Sequence, residues 1–151
     1  MIRIIAIGKK HEKWIKSGID EFEKRLKKPY DLKWEILPHS IYSDDKARLE
    51  ESERIMKALR SSDCVILLDE RGQNISSPDL AKIIESKFVN SQNIVIVIGG
   101  AYGVSEELRS RADFMWSLSK LVFPHQIVRL ILTEQIYRVQ EISSGGKYHH
   151  V

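Results

Sequence analysis

The sequence contains one cysteine in 151 residues, Cys64. A single thiol forms no intramolecular disulfide and builds no cysteine-based metal cluster. Set in the apolar run CVILLD, it reads as a small core residue. Long apolar runs are missing as well, since none approaches the roughly 20 residues that cross a bilayer. The opening MIRIIAIGKK enters a strand-like pattern at once, without signal-peptide anatomy. The expectation is a cytoplasmic protein with no membrane partner. Neither sign of charge dominates: 24 Lys and Arg stand against 21 Asp and Glu, a net charge of +3. That balance permits a polyanionic partner without identifying one. Repeats, low-complexity stretches and long linkers are also absent. With 42% hydrophobic and 30% charged residues at this length, the chain is expected to form one domain over residues 1–151 around one core.

What is present is an alternation. Apolar runs bounded by turn chemistry alternate with segments of helical period, which predicts an α/β fold with a mainly parallel sheet and flanking helices. Strands are expected at Arg3 to Ile7, Lys33 to Leu37, Cys64 to Leu68 and Ile94 to Ile98. The last, IVIVI, is β-branched throughout and should be the central strand, buried on both faces. Helices are expected from His11 to Lys28 with Pro29 as a stop, from Asp45 to Leu59 with its charges on the exposed side, and from Ser77 to about Val89 with Ser77 as N-cap. A shorter helix is capped by Ser105, and a long one runs from His125 to Ile142. Apolar residues cover more than half the circumference of that last helix, so it should have two apolar neighbours, one of them assigned to a second subunit of a homodimer.

Four segments carry candidate chemistry: LLDERG (67–72), IGGAYG (98–103), WSLSKLVFPHQIVR (116–129) and GGKYHH (145–150). In open α/β sheets ligands bind beyond the carboxyl ends of strands, and the first three segments end or follow strands. IGGAYG lacks the G-x-G-x-x-G spacing of a dinucleotide site and the G-K-[ST] of a phosphate loop, which argues against an oxidoreductase or a triphosphate site. Its glycines either bring backbone close to a ligand or simply make a turn. Asp69 either binds a ligand hydroxyl or caps a solvated turn, as Glu70 and Arg71 do. The loop before Pro124 is either a slot for a flat ring or a buried connector. Lys147, Tyr148, His149 and His150 supply donors and a stacking ring for RNA, or else fray as a terminus. Arg138 is either a phosphate clamp or half of a surface ion pair with Glu134 or Glu141. His125, next to Pro124, is either a proton shuttle or a surface residue at a helix N-terminus, and the surface reading is preferred.

In order, IRIIAIGK, LDERG, IGGAYG, WSLSKLVFPHQIVRLILTEQIYR and the closing YHH resemble the pseudouridine N3-methyltransferases of large-subunit ribosomal RNA in the SPOUT superfamily. The resemblance covers essentially the whole chain and is most specific from Trp116 to Arg138. It implies a C-terminal trefoil knot whose loops bind S-adenosyl-L-methionine, lined by Leu68, Gly100, Ser119, Lys120, Leu121, Val122, Phe123 and Pro124, with no metal. It also implies a homodimer acting on the assembled ribosome through Arg138, Tyr148 and His149. Two departures stand out: Ala101 and Tyr102 follow the glycine pair where many relatives have a proline, and the tail reads KYHHV rather than PYH plus a basic residue. In the implied reaction the pseudouridine nitrogen attacks the sulfonium methyl in line, with His149 assisting deprotonation, Arg138 stabilising the developing anion and Tyr148 packing on RNA. The competing reading is a non-catalytic ribosome-binding factor on the same fold.

Overall fold

The computed structural model describes residues 1–150; residue 151, which the expected domain included, lies outside them. Five strands form one parallel sheet: β1 (Ile2–Ile7), β2 (Leu32–Leu37), β3 (Asp63–Gln73), β4 (Asn93–Ile98) and β5 (Phe114–Trp116), in the order β2-β1-β4-β3-β5. The IVIVI strand is central, as its composition demands: Ile94 to Ile98 are all buried, and β4 pairs with β1 on one side and β3 on the other. Alternate residues feed two cores. On one face Ile4, Ile66, Ile94, Ile96 and Ile98 meet Leu80 and Ile84 of α3 (Ser77–Val89) and Leu132, Ile136 and Val139 of α5 (His125–Ser144). On the other, Ile5, Val65, Val95 and Val97 meet Ile55 of α2 (Asp44–Ala58) and Leu108 of α4 (Glu106–Arg111). Each such side chain contributes roughly 1.5–3 kcal/mol by leaving water.

The helix ends show where tertiary contacts override local pattern. The first helix, α1, covers only Lys13–Glu23. Beyond it the Lys27 amide donates to Gln140 Oε1 at 2.7 Å and Gln140 Nε2 donates to the Arg25 carbonyl at 3.1 Å, so α5 satisfies the backbone that a longer helix would have paired internally. The N-cap of α3 is Ser76, whose hydroxyl accepts from the Asp79 amide at 3.1 Å. Ser77, expected in that role, instead donates to Gln135 Oε1 at 2.7 Å. Ser105 caps α4 as anticipated.

The broad apolar surface of α5 is covered within the chain, by α1 along one side and α3 along the other. The α1 crossing is close enough that a Cβ on Gly18 would meet Leu130 Cδ1 at 2.9 Å. A second subunit is therefore not needed to explain the width of that apolar face. No helix among the described residues is long and apolar enough to cross a membrane.

Candidate functional site

Three segments meet at the same edge of the sheet: the stretch of β3 from Leu68 to Arg71, the Gly99–Ser105 turn after β4, and the Ser117–Pro124 loop between β5 and α5. Because β3 lies between β4 and β5, these segments are neighbours in space, and together they line a cavity of about 860 Å³. That volume suits a nucleoside-sized ligand.

The cavity is pre-shaped mostly by backbone. The Gly103 amide closes the turn on the Gly100 carbonyl at 3.1 Å. From α2, Arg48 Nε donates to the Tyr102 carbonyl at 2.8 Å, and the Ser52 hydroxyl accepts from the Ser105 amide at 2.9 Å, so one helix holds the middle and the far end of the turn. Gly100 is required there by space: a Cβ would overlap Oε1 of Glu51 and come within 3.2 Å of Ile7 Cγ2. On the opposite wall, the Ser117 hydroxyl donates to the Ser119 carbonyl at 2.9 Å and the Ser119 hydroxyl accepts from the Leu121 amide at 3.0 Å, folding the serine-rich loop on itself.

Of the residues singled out for a donor pocket, Leu68, Gly100, Ser119, Leu121, Val122 and Phe123 line this cavity. Lys120 and Pro124 are exposed and do not line it. Leu121 and Val122 are 71% and 84% exposed, so the rim of the cavity is apolar and open. Asp69 lines the wall, but its carboxylate is engaged, accepting from Arg109 Nε at 3.1 Å and the Arg71 amide at 2.8 Å.

His125 is not the surface residue expected from its position; it is half-buried and lines the cavity. Burial pushes its imidazole below the ordinary histidine range and the Arg129 charge adds to this, while Glu51 opposes both. Arg129 itself is 1% exposed and among the described residues pairs with no carboxylate, donating to the Lys9 carbonyl at 2.7 Å and lying 3.3 Å from His11 Nδ1. It pins the turn after β1 to the start of α5.

Arg138, Tyr148 and His149 meet one another, but not at the cavity. Glu134 Oε1 accepts from Arg138 at 2.6 and 3.0 Å and from the Tyr148 hydroxyl at 3.1 Å. The Arg138 guanidinium sits 4.8 Å from the Tyr148 ring centre, and Tyr137 meets that ring edge-on at 4.7 Å. Arg138 Nη1 lies 3.1 Å from His149 Nδ1. Because a guanidinium only donates, that contact requires a lone pair on Nδ1, hence a neutral ring with its proton on Nε2. Burial, reinforced by Glu134, raises the Tyr148 hydroxyl above its ordinary value. The tail is thus packed against α5 rather than frayed. Arg138 lies between three and four turns beyond the cavity-lining start of α5, about 20 Å along the axis.

Comparison with known proteins bears on the whole chain. A family described as "Predicted SPOUT methyltransferase" matches residues 1–149. Proteins named ribosomal RNA large subunit methyltransferase H are similar from end to end: that of Dictyoglomus thermophilum is 43% identical with 99% of each chain covered, and that of Acetivibrio thermocellus 41% identical with 98% of each. Among solved structures, a putative methylase family protein from Neisseria gonorrhoeae shares the fold at a TM-score of 0.55 and 14% identity, over 99% of this chain and 85% of its own.

Proposed function

The chain belongs to the SPOUT methyltransferase family, and we propose on that premise that it transfers a methyl group from S-adenosyl-L-methionine to N3 of a pseudouridine in large-subunit (23S) ribosomal RNA, on the assembled ribosome in the cytoplasm. The observation that carries this reading is the convergence of the β3 segment and the turns after β4 and β5 on one cavity of about 860 Å³. Its chemistry fits the donor. Leu68, Leu121 and Phe123 offer apolar surface to a flat base, and the bare Gly100 backbone leaves room and polar groups for the rest of the molecule. The deep C-terminal knot belongs to the same reading, as what membership of the family implies.

When bound, the donor supplies a methyl carbon made electrophilic by its sulfonium. The chain's own residues hold the acceptor nitrogen in line with that carbon and remove its proton as the bond forms. Arg138 steadies the negative charge that develops on the uracil ring or a flanking phosphate, and Tyr148 packs on the RNA. His149 takes the N3 proton. As it stands its Nδ1 is occupied by Arg138, so the base becomes available when the guanidinium turns to the RNA. One protomer separates this cluster from its own cavity by about 20 Å along α5, and a homodimer resolves the separation by presenting the tail of one subunit to the cavity of the other. The open apolar rim at Leu121 and Val122 supplies surface for that contact.

The test is mass spectrometry of nucleosides from 23S rRNA of cells with and without the protein, joined to methyl incorporation from labelled donor into ribosomes and into naked rRNA. Loss of one methylated pseudouridine, and incorporation into ribosomes only, are expected. With +3 per chain attraction to phosphate alone is modest, so efficient methylation of naked rRNA would overturn the ribosome requirement. Unchanged nucleosides together with no donor binding would favour the non-catalytic factor.

A further inference from the structure

Glu51 is an anomaly in α2. Nine of the fifteen residues of this helix are charged, yet Glu51 is 3% exposed and points inward on the stripe of Ala47 and Ile55, beside the buried Ser52. One carboxylate oxygen, Oε2, accepts from the Ser40 amide at 2.8 Å. The other, Oε1, is buried without a hydrogen-bond partner and lies against Gly100, a residue that lines the cavity. Two other buried carboxylate oxygens lack hydrogen bonds, on Asp31 and Asp63, but each of these residues has a cation: the N-terminal ammonium at 3.5 Å and Arg3 at 3.1 Å. Among the described residues Glu51 has none. Arg129, the fully buried cation of α5, forms no salt bridge with it: its Nη1 donates to the Lys9 carbonyl and lies beside His11, and its Nε is itself buried without a hydrogen-bond partner. A buried carboxylate without a positive partner is costly, and the space on the other side of Gly100 is the cavity.

We propose that Glu51 is the counter-charge of the bound methyl donor, favouring the sulfonium cation over the uncharged thioether that remains after transfer. The inference rests on the donor reading given above and adds a residue that sets specificity within it. Glu51 does not line the cavity, so it acts across the glycine floor by charge rather than by contact. Gly100 is what allows the approach, since any side chain there would fill the gap between carboxylate and cavity. The consequence is a bias toward loading the charged substrate and releasing the neutral product, S-adenosylhomocysteine. The electron pair of the broken methyl–sulfur bond stays on sulfur and extinguishes the charge that Glu51 attracts.

Calorimetric titration of the full chain with S-adenosylmethionine and with S-adenosylhomocysteine tests this. Glu51→Gln keeps the size and an oxygen for the Ser40 amide but removes the charge, and Glu53→Gln, an exposed partner of Lys57 on the same helix, serves as control. Charge interaction through a partly screened interior predicts a loss of roughly tenfold or more in affinity for the methionine form, with the homocysteine form changed by less than about threefold. A purely structural role would weaken both ligands by the same factor, and that result, or no change in either, overturns the proposal. Should Glu51→Gln fail to fold, the unaltered protein decides: methionine-form affinity at least equal to that of the homocysteine form supports it, and a preference of roughly tenfold or more for the neutral product overturns it. If the unaltered protein binds neither ligand, the donor reading itself falls and takes this inference with it.

Discussion

The two ends of α5 belong to two differently built places. At its start the cavity is made of backbone turns anchored to a sheet buried on both faces; of the charged groups on its wall Asp69 is tied to Arg109, and two more lie behind the lining, Glu51 under Gly100 and Arg129 behind the turn after β1. At its far end the Arg138 cluster is made of side chains at the surface, joined through a single acceptor, Glu134 Oε1, and two aromatic rings. The cavity derives its shape from packing, which tolerates little change in volume. The tail derives its arrangement from charge-assisted hydrogen bonds that a polyanionic ligand can replace. Under the proposed function, that difference would set a packed donor site against an acceptor-side clamp held by replaceable bonds.

The largest effect should come from filling the floor of the cavity. Gly100→Ala would set a methyl group on the Glu51 carboxylate, and because both neighbours are packed the clash should cost about 1–3 kcal/mol of stability. Donor affinity, read by calorimetry, should fall beyond roughly thirtyfold, while the Arg138–His149 contact, followed by the histidine ring resonances in NMR, stays as it is. If Gly100→Ala bound the donor normally, the idea of a cavity shaped by close backbone approach would be lost. Arg138→Ala should do the reverse. Removing one positioned cation typically costs about 100-fold in turnover, and donor affinity should remain within about twofold because in the proposed dimer Arg138 meets the RNA rather than the donor. A large loss of donor affinity in this variant would merge the two regions into one.

Much of this division was legible in the residues. The β-branched run at Ile94 to Ile98 fixed the central strand, and the order of strand-end motifs located three of the cavity walls. Four things were not read from the sequence, each for a physical reason. The early end of α1 depends on Gln140, more than a hundred residues away, bonding the backbone at Arg25 and Lys27. The continuation of β3 through Asp69 to Gln73 depends on pairing with Trp116 at the short edge strand and on the Ser117 amide donating to the Gln73 carbonyl at 2.9 Å, although DERG by itself reads as a turn. Glu51 was hidden among the charges of α2. A signal was available, since Ala47, Glu51 and Ile55 repeat every four residues and place the acid on the buried stripe. Placement of Lys120 and Pro124 away from the cavity follows from the fold of the serine loop, which no periodicity encodes.

The smallest effect concerns acid, and it sharpens the contrast by marking the cavity end alone. His125 is held below its ordinary value of 6.5 by burial first and by the Arg129 charge second, with Glu51 pulling the other way. A base whose folded-state value is depressed stays neutral in the native protein while the unfolded chain takes up a proton, so stability is full above about pH 6.5 and declines as the pH falls below it. His11, lowered by burial and by Arg129 and Lys16, acts in the same direction. Thermal melts should therefore give a lower Tm at about pH 5.5 than at about pH 7.5, beyond the general loss seen on acidification. His125→Asn, which cannot titrate, should reduce that difference, leaving the share due to His11. Equal pH dependence in the variant and the unaltered protein would show that the cavity wall carries no titrating group of consequence, and would leave shape as the cavity's one distinguishing property.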